Sequence, residues 1–286
     1  MPGFVDTGTL TLQVRIDGPD RNASAPICSV ERGGWHRQPD ERASPSLLFL
    51  HSLGTDLRIW DGVVARLPDH TCLRLDLPGH GLSDVPDGDY GVAQIALGVL
   101  DVLEQLRVER AVLIGISVGG QIALRAALEC PRHVAAVVAL DTGARIGDRD
   151  TWEARMAAVR TGGLAAIADE VVGRWFAPAT YARAAATVRG YRNLLLRTPV
   201  AGYLGTCAAL RDEDLTMHLR HLTQRVLVAC GSNDTATPPA LNRALADGLP
   251  HGRYVEITDA GHLPCLDQAQ AVAHTIDGFL RDRTLG

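Results

Sequence analysis

Six short apolar runs constrain this chain most: Ser46 to His51, Thr71 to Asp76, Ala111 to Ile116, Val134 to Leu140, Arg225 to Cys230 and Arg253 to Ile257. Several are almost uninterrupted, as strands buried on both faces must be. Helical patterns lie between them, and this alternation predicts a mainly parallel sheet covered by helices. Ahead of them, Thr9 to Ile16 alternates apolar and polar residues, and Asp6-Thr7-Gly8 reads as a hairpin turn. An antiparallel edge opening a mixed sheet follows. With 286 residues, 46% of them hydrophobic, the chain has material for one large α/β unit with an insertion or for two small domains.

Two stretches break the alternation. Asp17 to Ser44 is rich in Pro, Gly, Ser, Asp and Arg without periodicity and reads as an exposed loop, pinned locally by Trp35. The second is the interval between Leu140 and Arg225. There Trp152 to Val159, Gly163 to Phe176, Pro178 to Leu196 and Pro199 to Leu210 look helical, with stops at Gly162-Gly163, Pro178 and Pro199. Four helical segments exceed a simple crossover and predict an inserted cap, residues 143–214, on a core of residues 1–142 and 215–286.

Charge and composition remove whole classes of function. The 28 basic residues are all Arg, so Schiff-base chemistry and a P-loop lysine are excluded. A formal charge of -5 gives no electrostatic reason for a nucleic-acid partner. The start, Met1-Pro2-Gly3-Phe4-Val5-Asp6, has neither a basic nor an apolar leader region, so no secretory signal is expected. The apolar stretch Ala111 to Leu128 is interrupted by Ser117, Gln121 and Arg125, so no membrane span is expected. The six cysteines (Cys28, Cys72, Cys130, Cys207, Cys230, Cys265) form no C-x-x-C pair and read as reduced thiols of a cytoplasmic protein. His218 and His221 have helical spacing but no third ligand, and no metal is expected.

The chemistry concentrates at Gly115-Ile116-Ser117-Val118-Gly119, which ends an apolar run and opens a helical pattern. This is the G-x-S-x-G nucleophile elbow in its required strand–turn–helix setting. Glycines flank the serine because a hydroxyl on so sharp a turn stands clear only between neighbours without side chains. Asp234 follows the run Arg225 to Cys230, and His262 follows the next, in Asp259-Ala260-Gly261-His262. The order Ser117, Asp234, His262 is the one such an elbow requires. In open α/β sheets the loops beyond the strands' carboxyl ends converge, so the three can meet. Asp141, after Leu140, is the alternative acid. An oxyanion needs two donors. One is the N–H of Val118; the other is that of Leu53, in His51-Ser52-Leu53-Gly54, where serine stands in the usual glycine position. His80, in Asp76-Leu77-Pro78-Gly79-His80-Gly81, reads as a structural loop residue.

With these motifs in place, the chain resembles the α/β-hydrolase superfamily. Longer stretches resemble its 3-oxoadipate enol-lactonases: Ser52 to Asp61, Arg174-Trp175-Phe176, Cys207 to Asp212 with Asp214-Leu215, and Ala236-Thr237-Pro238-Pro239. The likeness spans nearly the whole chain except Asp17 to Ser44. It implies the α/β-hydrolase fold, a mostly parallel eight-stranded sheet flanked by helices with an inserted helical cap. It also implies cofactor-free opening of a small-molecule lactone through an acyl-enzyme, with no nucleic-acid or membrane partner.

A substrate carboxylate under a cap needs a cation. Arg145, Arg155, Arg174, Arg192 and Arg211 are the candidates, and Arg174 ranks first because Trp175 and Phe176 adjoin it. Trp152, Trp175 and Tyr203 are candidates for the pocket lining. A carboxylesterase, a meta-cleavage C–C hydrolase or a cofactor-free haloperoxidase would share the triad and differ in the pocket. A non-catalytic receptor on the same fold is the alternative from another class.

Overall fold

The structure, a computed structural model, describes residues 2–18 and 45–282. The loop read from the sequence lies outside these from residue 19 to 44, Cys28 and Trp35 included. Asp17 does not belong to it. It ends the second strand opposite Cys72, and its carboxylate accepts from the buried Arg74 at 2.5 Å.

Eight strands form one sheet: β1 (Pro2–Asp6), β2 (Thr11–Asp17), β3 (Ser46–Leu50), β4 (Cys72–Leu75), β5 (Ala111–Ile116), β6 (Val134–Leu140), β7 (Arg225–Gly231) and β8 (Gly252–Ile257). Their order is β1-β2-β4-β3-β5-β6-β7-β8. β1 and β2 pair antiparallel and β2 runs antiparallel to β4; the remaining neighbours are parallel. The mixed sheet with an antiparallel edge is therefore as the sequence predicts. Every residue of β5 is buried, and so is most of β3, β6 and β7. Their unbroken apolar runs reflect helices on both faces.

Among the described residues the helices are α1 (Asp61–Val64), α2 (Val92–Gln105), α3 (Val118–Glu129), α4 (Arg149–Gly162), α5 (Ala168–Trp175), α6 (Pro178–Arg183), α7 (Ala185–Arg197), α8 (Val200–Asp212), α9 (Pro239–Asp247), α10 (Pro264–Asp267) and α11 (Ala269–Arg281). Five of them, α4 to α8, lie between β6 and β7. α4 packs on α8, and α5 on α7. Two sequence-predicted helices are divided here. Gly163 to Phe176 is a 3₁₀ turn (Leu164–Ala166) followed by α5, because Ile167 leaves the helical region at φ −120°. Pro178 to Leu196 breaks at Ala184 (φ −136°, ψ 40°), after which α7 packs on α5. Arg183, just before the break, is tied to the Asp267 carbonyl at 2.8 Å. Alanine-rich sequence carries no stop signal there; tertiary contacts override propensity.

A salt bridge and a backbone crossing are among the contacts that seat the inserted helices on the sheet layer. Arg125 of α3 forms a salt bridge at 2.6 Å with Glu213 at the end of α8. Gly202 of α8 crosses Gly79, after β4, backbone against backbone: a Cβ on Gly202 would sit 2.2 Å from the Gly79 carbonyl oxygen.

Candidate active site

Ser117, Asp234 and His262 each follow the carboxyl end of a parallel strand, β5, β7 and β8. Ser117 joins β5 to α3 at φ 58°, ψ −122°, a conformation that non-glycine residues rarely adopt. The surrounding backbone holds it there. Its N–H donates to Leu140 O at 2.9 Å, and its carbonyl accepts from the Thr142 hydroxyl at 2.7 Å. The glycines are required by close approach: a Cβ on Gly115 would meet Gly119 O at 2.0 Å, and one on Gly119 would meet Leu50 O at 2.5 Å.

Asp234 follows β7, and its carboxylate accepts from four donors. Ala236 N–H (2.7 Å) and Thr237 N–H (3.1 Å) reach Oδ1; the Thr237 hydroxyl (2.6 Å) and His262 Nδ1 (2.9 Å) reach Oδ2. Burial opposes its charge, yet His262 and Thr237 hold its carboxyl below the usual range. An acceptor at Nδ1 places the proton of the neutral imidazole there and leaves Nε2 free to take one. Thr237 is a residue to which sequence reasoning gave no part, since its role depends on the turn folding back over Asp234.

The turn carrying His262 is braced by the inserted helices. Leu263 N–H donates to Trp175 O at 2.8 Å, and Asp267 Oδ2 accepts from both Ala177 N–H and Gly261 N–H at 2.8 Å. Asp141 follows β6 and stands beside Asp234 rather than in its place: a carboxylate oxygen of each and the Cys230 sulfur lie within 4.8 Å of one another. Among the described residues these three, and not His218 and His221, are grouped closely enough to share an ion.

The turn after β3 supplies Leu53. Its neighbours' N–H groups are engaged, Gly54 with His80 Nε2 at 3.0 Å and Thr55 with Ser52 O at 3.1 Å. Val118 is the first residue of α3, where an N–H has no intrahelical acceptor. His80 is fully buried and also reaches Pro78 O at 3.1 Å, so it braces this turn. Its ring lies 5.3 Å from that of His51, another fully buried imidazole, whose Nε2 accepts from Leu77 N–H at 2.9 Å.

Ser117, His262, Ser52 and Leu53 open onto one cavity of about 140 Å³, roofed by Trp152, Arg155, Arg174, Trp175 and Tyr203. Among the five arginine candidates, Arg145, Arg192 and Arg211 do not line it and pair with Asp214, Asp169 and Glu153, respectively. Arg174 lines it but is 40% exposed and bound to Glu170 at 2.5 Å. Arg155 is only 16% exposed, stands 3.9 Å from the Glu170 carboxylate and lies over the Trp152 ring, 4.9 Å from its centroid. Its charge bears on the Tyr203 hydroxyl, which is buried with no hydrogen-bond partner among the described residues. Trp152 spends its own N–H on Ile146 O at 2.6 Å.

A strained serine and a carboxylate-bound imidazole opening onto one cavity of a mixed eight-stranded sheet are the arrangement of a hydrolase. Residues 47–275 match the model of the alpha/beta hydrolase family, and the chain belongs to that family. Within it, the chain is 31% identical to 3-oxoadipate enol-lactonase 2 of Acinetobacter baylyi over 238 residues, spanning 83% of this chain and 89% of that one. The solved enol-lactonase of Burkholderia xenovorans LB400 superposes with a TM-score of 0.86 at 32% identity, covering 98% of this chain and all of that one. A pimeloyl-[acyl-carrier protein] methyl ester esterase of Aeromonas salmonicida is 28% identical over 88% of this chain and 98% of its own. Among the described residues no helix is long and apolar enough to cross a membrane.

Proposed function

We propose that this chain opens the enol-lactone of 3-oxoadipate to 3-oxoadipate, through an acyl-enzyme on Ser117. The observation that carries the reading is the cavity itself, where the serine and imidazole share a compact chamber with the half-buried guanidinium of Arg155. A small lactone bearing a free carboxylate needs those three groups together. Likeness to enol-lactonases over most of the chain supports the same substrate class.

In this reading Ser117 Oγ attacks the lactone carbonyl while His262 takes its proton, and Asp234 holds the imidazole in the required tautomer. The N–H groups of Leu53 and Val118 receive the oxyanion, a contribution of about 3 kcal/mol per donor. Collapse expels the ring oxygen as an enol still tethered to the acyl group, and His262 returns the proton. Relaxation of the enol to the ketone disfavours re-closure, giving water activated by His262 time to release the acid. Arg155 holds the substrate carboxylate, with the Tyr203 hydroxyl beside it. The geometry favours Arg155 over Arg174: Arg174 is bound to Glu170 at 2.5 Å, whereas Arg155 reaches the same carboxylate only at 3.9 Å and is the less exposed of the two. Trp152 and Trp175 supply apolar walls.

The test compares the enol-lactone with p-nitrophenyl acetate on wild type and on Arg155→Met. Arg155→Met is expected to raise KM for the lactone by about 30-fold or more, from the roughly 2 kcal/mol of a hydrogen bond to a charged group. Turnover of the neutral ester should change by less than about threefold. Far better turnover of p-nitrophenyl acetate by the wild type would sink the lactonase reading in favour of a general carboxylesterase.

A further inference from the structure

We propose that Asp141 is a positioning residue for the Asp234–His262 pair, carrying a proton in the working enzyme and donating it as a hydrogen bond to the Asp234 carboxylate. The inference rests on the triad of the preceding reading, but not on which ester or lactone is the substrate.

The two carboxyl groups are supported very differently. Asp234 accepts four hydrogen bonds, a surrounding built for an anion. Asp141 is completely buried and accepts one, from Gly231 N–H to Oδ1 at 2.8 Å. Its Oδ2 has no donor among the described residues. Two carboxylates within 4.8 Å of each other, away from water, cannot both stay charged. The proton therefore resides on the group with fewer donors, which leaves Asp141 a donor beside the Asp234 carboxylate.

The other titratable groups around Asp141 leave this assignment standing. Cys230 on β7 and Cys265 on α10 have thiols pushed well up, chiefly by burial, so neither offers a countercharge. His262 faces Asp234 directly. Burial first, and the Asp234 charge second, drive the Asp141 carboxyl well above the usual carboxylate range. The site is also fixed in place. Asp141 sits at φ 44°, and its N–H donates to Ala229 O at 2.8 Å, so its side chain has little freedom to turn away. A neutral donor here draws charge away from the Asp234 oxygen facing His262 and locks the plane of that carboxylate.

The experiment uses the full chain and two readouts. Infrared spectra at neutral pH should show a protonated-carboxyl band in wild type that is missing from Asp141→Asn; loss of a carboxylate band instead would overturn the proposal. The second readout is the rate at which a fluorophosphonate labels Ser117, followed against pH. Asp141→Asn keeps a donor toward Asp234 and an acceptor for Gly231, and should hold the rate within about threefold. Asp141→Ala removes both, and should slow labelling about tenfold and move the acid limb upward by about half a pH unit or more. Matching profiles for the two variants would also overturn it. A wild type that does not label at all would refute the triad, and this inference with it. Should the alanine variant fail to fold, the infrared band and the asparagine variant still decide the question.

Discussion

Ser117→Ala is expected to lower kcat by about 10⁵- to 10⁶-fold, the scale seen when a triad nucleophile is deleted. KM and the folded structure should stay near those of wild type. The backbone explains the second expectation. The elbow is held by Leu140 O and the Thr142 hydroxyl acting on main-chain atoms of residue 117, and none of these bonds involves the serine side chain. Alanine meets the same cost at φ 58° as serine does, so the turn survives. What disappears is the hydroxyl to which the proposed mechanism gives the attack. Steady-state kinetics on the enol-lactone, beside circular dichroism, makes the measurement. Hydrolysis persisting within tenfold of wild type would remove Ser117 from the chemistry.

Acid should unfold this protein through His51 and His80. Burial lowers the pKa of His51 to about 4; burial first, and the neighbouring His51 ring second, lower that of His80 to about 3. A base whose folded pKa lies below its unfolded value stabilises the fold fully above that unfolded value. The contribution is then lost as pH falls toward the folded one. Here the window runs from about pH 6.5 down to about 4. Asp76 acts in the opposite sense. Its carboxyl is pushed up to about 6, chiefly by burial, so acidification relieves part of the loss. Taken together, stability should fall by roughly 3–4 kcal/mol between pH 7 and pH 4. Chemical denaturation at a series of pH values measures this, and His80→Asn should flatten the profile. A curve that stays level from pH 6.5 to 4 in the wild type would contradict it.

The sheet is legible in the sequence because a strand buried on both faces leaves a run of apolar residues that needs no knowledge of its neighbours. The same holds for the elbow, whose glycines answer to contacts within a few residues and with the adjoining strand. Asp234 and His262 are legible from their places after successive strands. Less legible is whatever depends on a distant partner. The break at Ala184 answers to the packing of α7 on α5. Arg155 and Arg174 look alike in sequence, although the spacing of Glu170 and Arg174 by four on one helix is a local sign that Arg174 is engaged. The setting of Asp141 depends on β7 bringing Cys230 and Asp234 beside it, which no window around residue 141 contains.

The bare meeting of Gly79 and Gly202 sets how this architecture can diversify. Main chain on main chain leaves no room for even a methyl group, so the ceiling helix cannot be raised or tilted by growing a side chain at the crossing. The height of the chamber is thus inherited with the scaffold. New ligand preferences must be written instead on what hangs from that ceiling, Tyr203 and Leu210, and on the walls at Thr151 and Val171. A repertoire of guests can change there while the beam overhead never shifts.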